Sequence, residues 1–259
     1  MPSDGHPTIW PLDPHTRAKH ALLAEYLKAW FPILSWNSRV VFLDGFAGPG
    51  IYADGQPGSP VIALDVLLNH TAKKVLEHCD FTFLFIEANN ARYASLQSEV
   101  AKLGKLPVNV HVDIRNTTFV DAAESLAGYL AERRKKLAPT FAFLDPFGFG
   151  GIPLDTIRRL LGYRGCELFI SFMLDHVNRF AEVPSESAHM EALFGTTGYL
   201  EAAAATDRLD SLAQLYESQL HVVAGFDYVS RFQMRRSDGH IAYHLLHGTK
   251  HSLTSPEVV

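Results

Sequence analysis

Two hydrophobic periods alternate along the chain. Short β-branched or aromatic runs fall at Arg39–Leu43, Phe81–Ile86, Val108–Val112, Thr140–Leu144 and Glu167–Phe172. Between them lie stretches with apolar residues three and four apart, such as Tyr93–Leu103 (Leu96, Val100, Leu103) and Phe119–Leu130 (Phe119, Ala123, Leu126, Leu130). Period two alternating with period 3.6 predicts strands and helices in turn, hence a mainly parallel sheet covered on both faces. The unbroken run Phe81-Thr-Phe-Leu-Phe-Ile86 fits a strand buried on two sides. A helix over roughly Pro14–Ile33 precedes the first strand, and Glu186–Leu220 is helical and Ala-rich. Near the end, Tyr228–Arg236 and His240–His247 flank Ser237-Asp238-Gly239, the signature of an antiparallel hairpin. The expectation is an α/β sheet of five parallel-type strands closed by a C-terminal hairpin, with helices on both faces. It is expected as one domain over 1–259, with an N-terminal helix at 14–35, a core at 39–175, a helical segment at 176–225 and the hairpin at 226–250.

Composition narrows the class. The chain has 259 residues, 47% apolar and 20% charged, enough to bury a full core without staples. Two cysteines, Cys79 and Cys166, supply neither a disulfide framework nor a Cys-rich metal site. With no long apolar run and no signal-peptide core in the first residues, no membrane association and a cytoplasmic location are expected. The formal net charge of −5 disfavours a basic body wrapped in nucleic acid.

In an open α/β sheet, ligands sit beyond the carboxyl ends of the strands, so each strand end is a candidate site. The first carries Asp44-Gly45-Phe46-Ala47-Gly48-Pro49-Gly50, whose glycines let the backbone bend sharply and approach a ligand. Gly48-Pro-Gly50-Ile-Tyr-Ala53 superficially matches the dinucleotide fingerprint. That fingerprint must open a helix, whereas here a helix can begin only near Ser59. No P-loop pattern occurs. The second strand ends at Glu87, where a carboxylate can accept both hydrogen bonds of a ribose diol, and the third at Asp113-Ile114. Either acid can equally be a helix-capping group, yet Asp44, Glu87 and Asp113 at successive strand ends outline an adenosyl pocket. The fourth strand ends in Asp145-Pro146-Phe147-Gly148. An acid that accepts an N–H, a proline that fixes the backbone and an aromatic that stacks together suit chemistry on a planar amine.

These motifs resemble those of class I S-adenosylmethionine-dependent methyltransferases. Asp44–Gly50 resembles the D-P-F-x-G-S-G loop of enzymes that methylate exocyclic amines of nucleic-acid bases. Asp145–Gly148 is similar to their D-P-P-[YF] motif, with one proline where they have two. The broadest likeness is to the three-Cys-motif partner proteins, a bacterial family of presumed methyltransferases. It rests on Lys19-His20-x-x-Leu23-x-x-Tyr26-Leu27-x-x-Trp30, the Asp44–Gly50 loop, Gly58-Ser59-Pro60, Phe85–Glu87, Leu144–Gly148 and Thr249-Lys250-His251. The resemblance implies a Rossmann-like class I methyltransferase fold and S-adenosylmethionine as cofactor. It places its methionine part at Asp44 and the loop Gly45, Phe46, Ala47, Gly48 and Gly50, its ribose at Glu87, its adenine at Asp113 and Ile114, and the acceptor at Asp145, Pro146, Phe147 and Gly148. It also implies a separate three-cysteine partner protein. The acceptor would be a nucleobase or a small molecule.

Other features are weaker. Lys19 and His20 are accessory candidates for closing over the cofactor, with Ser59. Arg231 and Arg235 lie together if their strand is regular and would then form a phosphate-contacting rim. His240, His244, His247 and His251 do not converge from one strand, so no metal is expected. The rival functions are a non-catalytic nucleoside-binding subunit and, with less support, a nicotinamide oxidoreductase.

Overall fold

The computed structural model describes residues 7–146, 148, 150–235 and 241–250. Phe147, the Ser237-Asp238-Gly239 turn, Arg236, His240 and His251 lie outside the described residues. The chain divides into two compact units, Met1–Ala122 and Ala123–Val259.

The first unit comprises α1 (Pro14–Leu34), β1 (Arg39–Asp44), α2 (Ser59–Leu68), α3 (Lys73–Leu76), β2 (Asp80–Ile86), α4 (Asn90–Ala101) and β3 (Val110–Arg115). Its strands run in the order β3-β2-β1. Both pairings are parallel, with Val40 opposite Phe81 and Phe83 opposite Val112. The helix α1 buries Leu23, Leu27, Trp30, Phe31 and Leu34, a stripe at helical spacing. Phe31 meets Phe81 edge-on with ring centroids 5.6 Å apart, and Phe42 meets Phe83 at 5.8 Å. Burying each such ring contributes about 1.5–3 kcal/mol, so this aromatic seam fixes how the helix lies on β1 and β2.

β3 starts and ends later than the apolar run predicts. Val108 is 93% exposed. The amide of Val110 closes a turn on the Pro107 carbonyl, while Asn109 donates to the carbonyls of Leu76 and Cys79. That anchored turn delays the ladder to Val110, and pairing with β2 carries it on to Arg115 opposite Ile86.

The helix α5 (Phe119–Glu132) leads into the second unit. There β4 (Thr140–Leu144), α6 (Leu154–Leu161), β5 (Cys166–Phe172), α7 (Leu174–Phe180), α8 (Ser187–Phe194), α9 (Tyr199–Ala204), α10 (Arg208–Val222), β6 (Tyr228–Arg235) and β7 (Ile241–Thr249) follow. The order is β4-β5-β7-β6. β4 and β5 are parallel and buried throughout, while β7 runs antiparallel to both β5 and β6. An α/β architecture with parallel strands and a closing antiparallel hairpin therefore stands as the pattern of the sequence led one to expect. No helix among the described residues is long and apolar enough to cross a membrane.

Candidate functional site

In the first unit, β1 ends at Asp44, whose side chain is completely buried. One carboxylate oxygen accepts the Phe46 amide at 3.1 Å and the other the Ser59 hydroxyl at 2.6 Å. Asp44 thus ties the start of the glycine loop to the first residue of α2. Between them the chain does not enter a helix at the glycines. Ile51 bridges Pro57 in a small antiparallel turn, and α2 begins at Ser59. This is the helix start expected from the sequence, and it removes the dinucleotide geometry.

Close approach explains two of the glycines. Gly50 has φ of +79°, and a Cβ there would lie 3.0 Å from the Leu96 side chain of α4. Gly58 donates to the Gly50 carbonyl at 2.8 Å, and a Cβ on it would meet the Gly50 backbone at 3.1 Å.

At the end of β2, Glu87 is 8% exposed. Its two oxygens accept the amides of Gly48 at 2.9 Å and Asn89 at 2.7 Å. Asn89 in turn caps α4, accepting from the amides of Ala91 and Arg92. Ala47 donates to the Ile86 carbonyl at 2.9 Å, so the loop is stitched to the strand that bears Glu87. Asn116 donates to the carbonyls of Glu87 and Ala88, bringing the segment after β3 to the same edge. Gly45, Ala47, Gly48 and Gly50 are buried, and half-buried Phe46 lies 5.9 Å from the ring of Phe119.

Lys19 and His20 are 3% and 6% exposed, turned inward from α1. His20 meets Tyr52 with ring centroids 5.7 Å apart. Tyr52 in turn meets Trp10 edge-on at 5.9 Å, and the guanidinium of Arg92 lies over Trp10 at 5.1 Å. The Trp10 carbonyl accepts the Ala53 amide, so residues before α1 strap the glycine loop.

Asp113 is placed differently. It lies two residues before the end of β3, is exposed, and accepts from Arg115 at 2.8 Å. Ile114 beside it is half-buried. The structure therefore gathers Asp44, Ser59, Glu87 and the loop, and leaves Asp113 in a surface ion pair.

In the second unit, β4 delivers half-buried Asp145 and buried Pro146. Gly148 has φ of +97°, and a Cβ there would lie 3.3 Å from Nδ1 of His176 on α7. The sequence reading did not single out His176, which lies in the first turn of α7 after β5. Burial, then the Asp145 carboxylate, pushes the phenol pKa of Tyr243 on β7 well above its ordinary value, so it stays protonated.

The two candidate rim arginines are engaged by different partners. Arg231 is held by Asp210 at 2.8 Å and Glu217 at 3.4 Å, both on α10. A shift in the β6–β7 register falls between Met234, opposite Tyr243, and Arg235, opposite Ile241. Arg235 instead donates to Gln233 at 2.6 Å. Among the described hairpin residues His244 is the buried histidine. It is 1% exposed and lies opposite Phe172 of β5. Burial, then the charge of Arg231, pushes its imidazole pKa down to about 4.

No family model matches the chain. No curated protein matches it either. Among solved structures, it overlaps Trm1 from Pyrococcus horikoshii with S-adenosyl-L-methionine at 11% identity, covering 93% of this chain and 59% of that one, TM-score 0.40. A SAM-dependent methyltransferase from Agrobacterium tumefaciens overlaps at 10% identity over 93% and 63%, TM-score 0.45. A DUF574 family protein from Streptomyces avermitilis overlaps at 13% identity over 91% and 83%, TM-score 0.47. The chain thus spans about three fifths of the length of the first two.

Proposed function

We propose that this chain is an S-adenosylmethionine-dependent methyltransferase of the class I type, acting on an exocyclic amine of a nucleobase or a related small acceptor. The observation that carries the reading is Glu87. A buried carboxylate at a strand end is oriented by two backbone amides, one of them from the glycine loop it faces. A carboxylate has about four acceptor positions, so it can hold the loop and still receive the two hydroxyls of a ribose diol. The donor set suits a nucleoside without phosphates: the loop opens no helix toward an anion, and the side chains beside it are two carboxyl groups rather than cations.

When bound, the cofactor supplies an electrophilic methyl group on a sulfonium. The first unit's task is to hold it: Glu87 takes the ribose, while Asp44 and Ser59 fix the loop against the methionine part. Asp113 serves the adenine amino group by exchanging its bond from Arg115. Asp145 accepts an N–H of the acceptor amine and so keeps the nitrogen lone pair available to the methyl. Alignment is the main contribution, since well-oriented reactants gain about 7–11 kcal/mol over free encounter. The methylated nitrogen then sheds its proton to Asp145 or water. By its motifs the chain also fits the three-Cys-motif partner proteins, and co-purification with a three-cysteine protein checks that part.

Calorimetric titration with S-adenosylhomocysteine tests the cofactor assignment. Wild type and Asp145→Ala should bind alike, and Glu87→Gln should bind weakly. Incubating each with methyl-labelled cofactor and cell extract should label an acceptor with wild type only. Absence of S-adenosylhomocysteine binding to wild type would sink the reading. Binding without label transfer to any fraction would make the chain a binding subunit.

A further inference from the structure

The second unit holds a group of polar atoms that the methyltransferase reading leaves unused. Phe172, the last residue of β5, and Tyr216 of α10 stack with ring centroids 4.5 Å apart and planes 9° from parallel. Tyr216 is fully buried, and its hydroxyl has no hydrogen-bond partner. His244 sits opposite Phe172 in the β5–β7 ladder, and neither of its ring nitrogens has a partner. Arg231 pairs with Leu246, two positions from His244 and on the same sheet face, and its Nη1 is buried without a partner. Four polar atoms from three elements thus border one stacked ring pair. Each such atom is costly to leave unmade, and phenylalanine would fill the place of Tyr216 without that cost.

We propose that the parallel rings of Phe172 and Tyr216, edged by His244 and Arg231, are a closed stacking slot that opens to take a planar heteroaromatic ring. This inference rests on the reading above for its role, the acceptor base, but not for its existence. Aromatic pairs accept a planar ring between them, and the hydrogen-bonding edge of a base needs donors and acceptors at the rim. The neutral imidazole offers one of each, the phenol can do either, and Arg231 donates. Asp210 and Glu217 already balance the charge of Arg231, so the slot suits an uncharged base rather than a phosphate. Its position fits: Ile170, two residues before Phe172, pairs with Leu144, the residue just before Asp145. Access requires α10 to move. That helix is fastened at its first residue, where Arg208 bonds Asn178 and Ala203, and further along by the Arg231 pairs with Asp210 and Glu217, so the opening is a local parting of the Phe172 and Tyr216 rings with those pairs kept.

The test uses the full chain with saturating S-adenosylhomocysteine, which keeps the proposed cofactor site filled. Adenosine, guanosine, cytidine and uridine are each titrated by ligand-observed NMR against wild type, Tyr216→Phe and His244→Phe. At least one should bind wild type and lose about tenfold or more in affinity in both variants, a difference of about 1.4 kcal/mol. Tyr216→Phe should melt no lower than wild type, which separates lost recognition from lost folding. The bound nucleoside should also slow amide exchange along α10. No nucleoside binding at millimolar concentration, or equal binding by Tyr216→Phe, would show the ring pair to be packing alone. Slot binding with no S-adenosylhomocysteine binding would overturn the methyltransferase reading and leave the slot standing.

Discussion

His244 should make the second unit sensitive to acid. In the unfolded chain its imidazole titrates near 6.5, while in the folded unit burial and Arg231 hold it near 4. The groups facing it are Arg231 and Arg235 from β6 and Asp210 from α10; Asp210 pulls upward, but burial and the arginines dominate. Glu217 and the Tyr216 hydroxyl stand on the same helix as Asp210. Below pH 6.5 the unfolded chain takes up a proton that the folded unit refuses, so stability falls with pH down to about 4 and is complete above 6.5. The full difference is worth about 3 kcal/mol, and about 2 kcal/mol of it is lost by pH 5. All three tryptophans, Trp10, Trp30 and Trp36, belong to the first unit, so their fluorescence does not report this event. Cys166 does, because its thiol is fully buried at the start of β5. Thiol labelling in moderate urea, resolved from Cys79 by peptide mass, should be compared for wild type and His244→Phe at pH 7.5 and pH 5. The wild-type-to-variant ratio of Cys166 labelling should rise about thirtyfold between the two conditions. Parallel behaviour of the two proteins would refute the neutral, partnerless environment assigned to His244, whatever their relative stability at pH 7.5.

Glu87→Gln must turn an amide N–H toward Gly48 or Asn89, losing a charge-assisted bond worth about 1.5–3 kcal/mol. Titration should then show S-adenosylhomocysteine affinity falling at least about tenfold, against a smaller loss for Asp113→Asn, and equal losses would contradict the geometry. Gly50→Ala forces a side chain into φ of +79° against Leu96, so tryptophan-monitored melting should show the first unit destabilised by about 1–2 kcal/mol or more. Arg231→Ala should destabilise the second unit by leaving Asp210 and Glu217 facing each other, whereas Arg235→Ala should stay within about 0.5 kcal/mol in urea unfolding. Label transfer to the acceptor should depend weakly on salt, because a polyanion contacting several cations would give a steep logarithmic slope. A steep slope would restore a phosphate-binding rim.

The strands were legible where both faces are buried. β1, β2, β4 and β5 are mostly apolar runs with nearly every residue buried, and their bounds fall within a residue of those the pattern predicts. β3 misled at Val108 because a β-branched residue can sit exposed in a turn when Asn109 anchors that turn from outside the strand. The glycine loop and Glu87 were legible because position at a strand end is itself a sequence feature. Their connections were not. Asp44 finds Ser59 15 residues later only because the loop between them folds back through the Ile51–Pro57 bridge. His244 reads as a strand-face histidine until its partner across the ladder is known to be Phe172, with α10 packed over it. Tertiary neighbours decide protonation and pairing, and a linear pattern carries little of that.

The arginines make the same point for substrate choice. On the sequence alone, Arg231 and Arg235 read as a phosphate-contacting rim if their strand is regular. In the folded unit, Arg158 and Arg159 both pair with Asp155, whose carboxyl is held below its usual range by Arg158, and Arg231 is shared between two acids. Such exposed pairs add little stability, yet they cancel the local field that would gather a polyanion. With a chain charge of −5 and Arg158, Arg159 and Arg231 each paired with an acid, the second unit offers a nucleic-acid backbone little attraction. The stacked rings, neutral imidazole and phenol near β5 instead offer contacts to a single uncharged heterocycle. A free nucleobase or nucleoside then fits this surface better than a duplex or a tRNA body, unless a partner protein brings the phosphates' counter-charge with it.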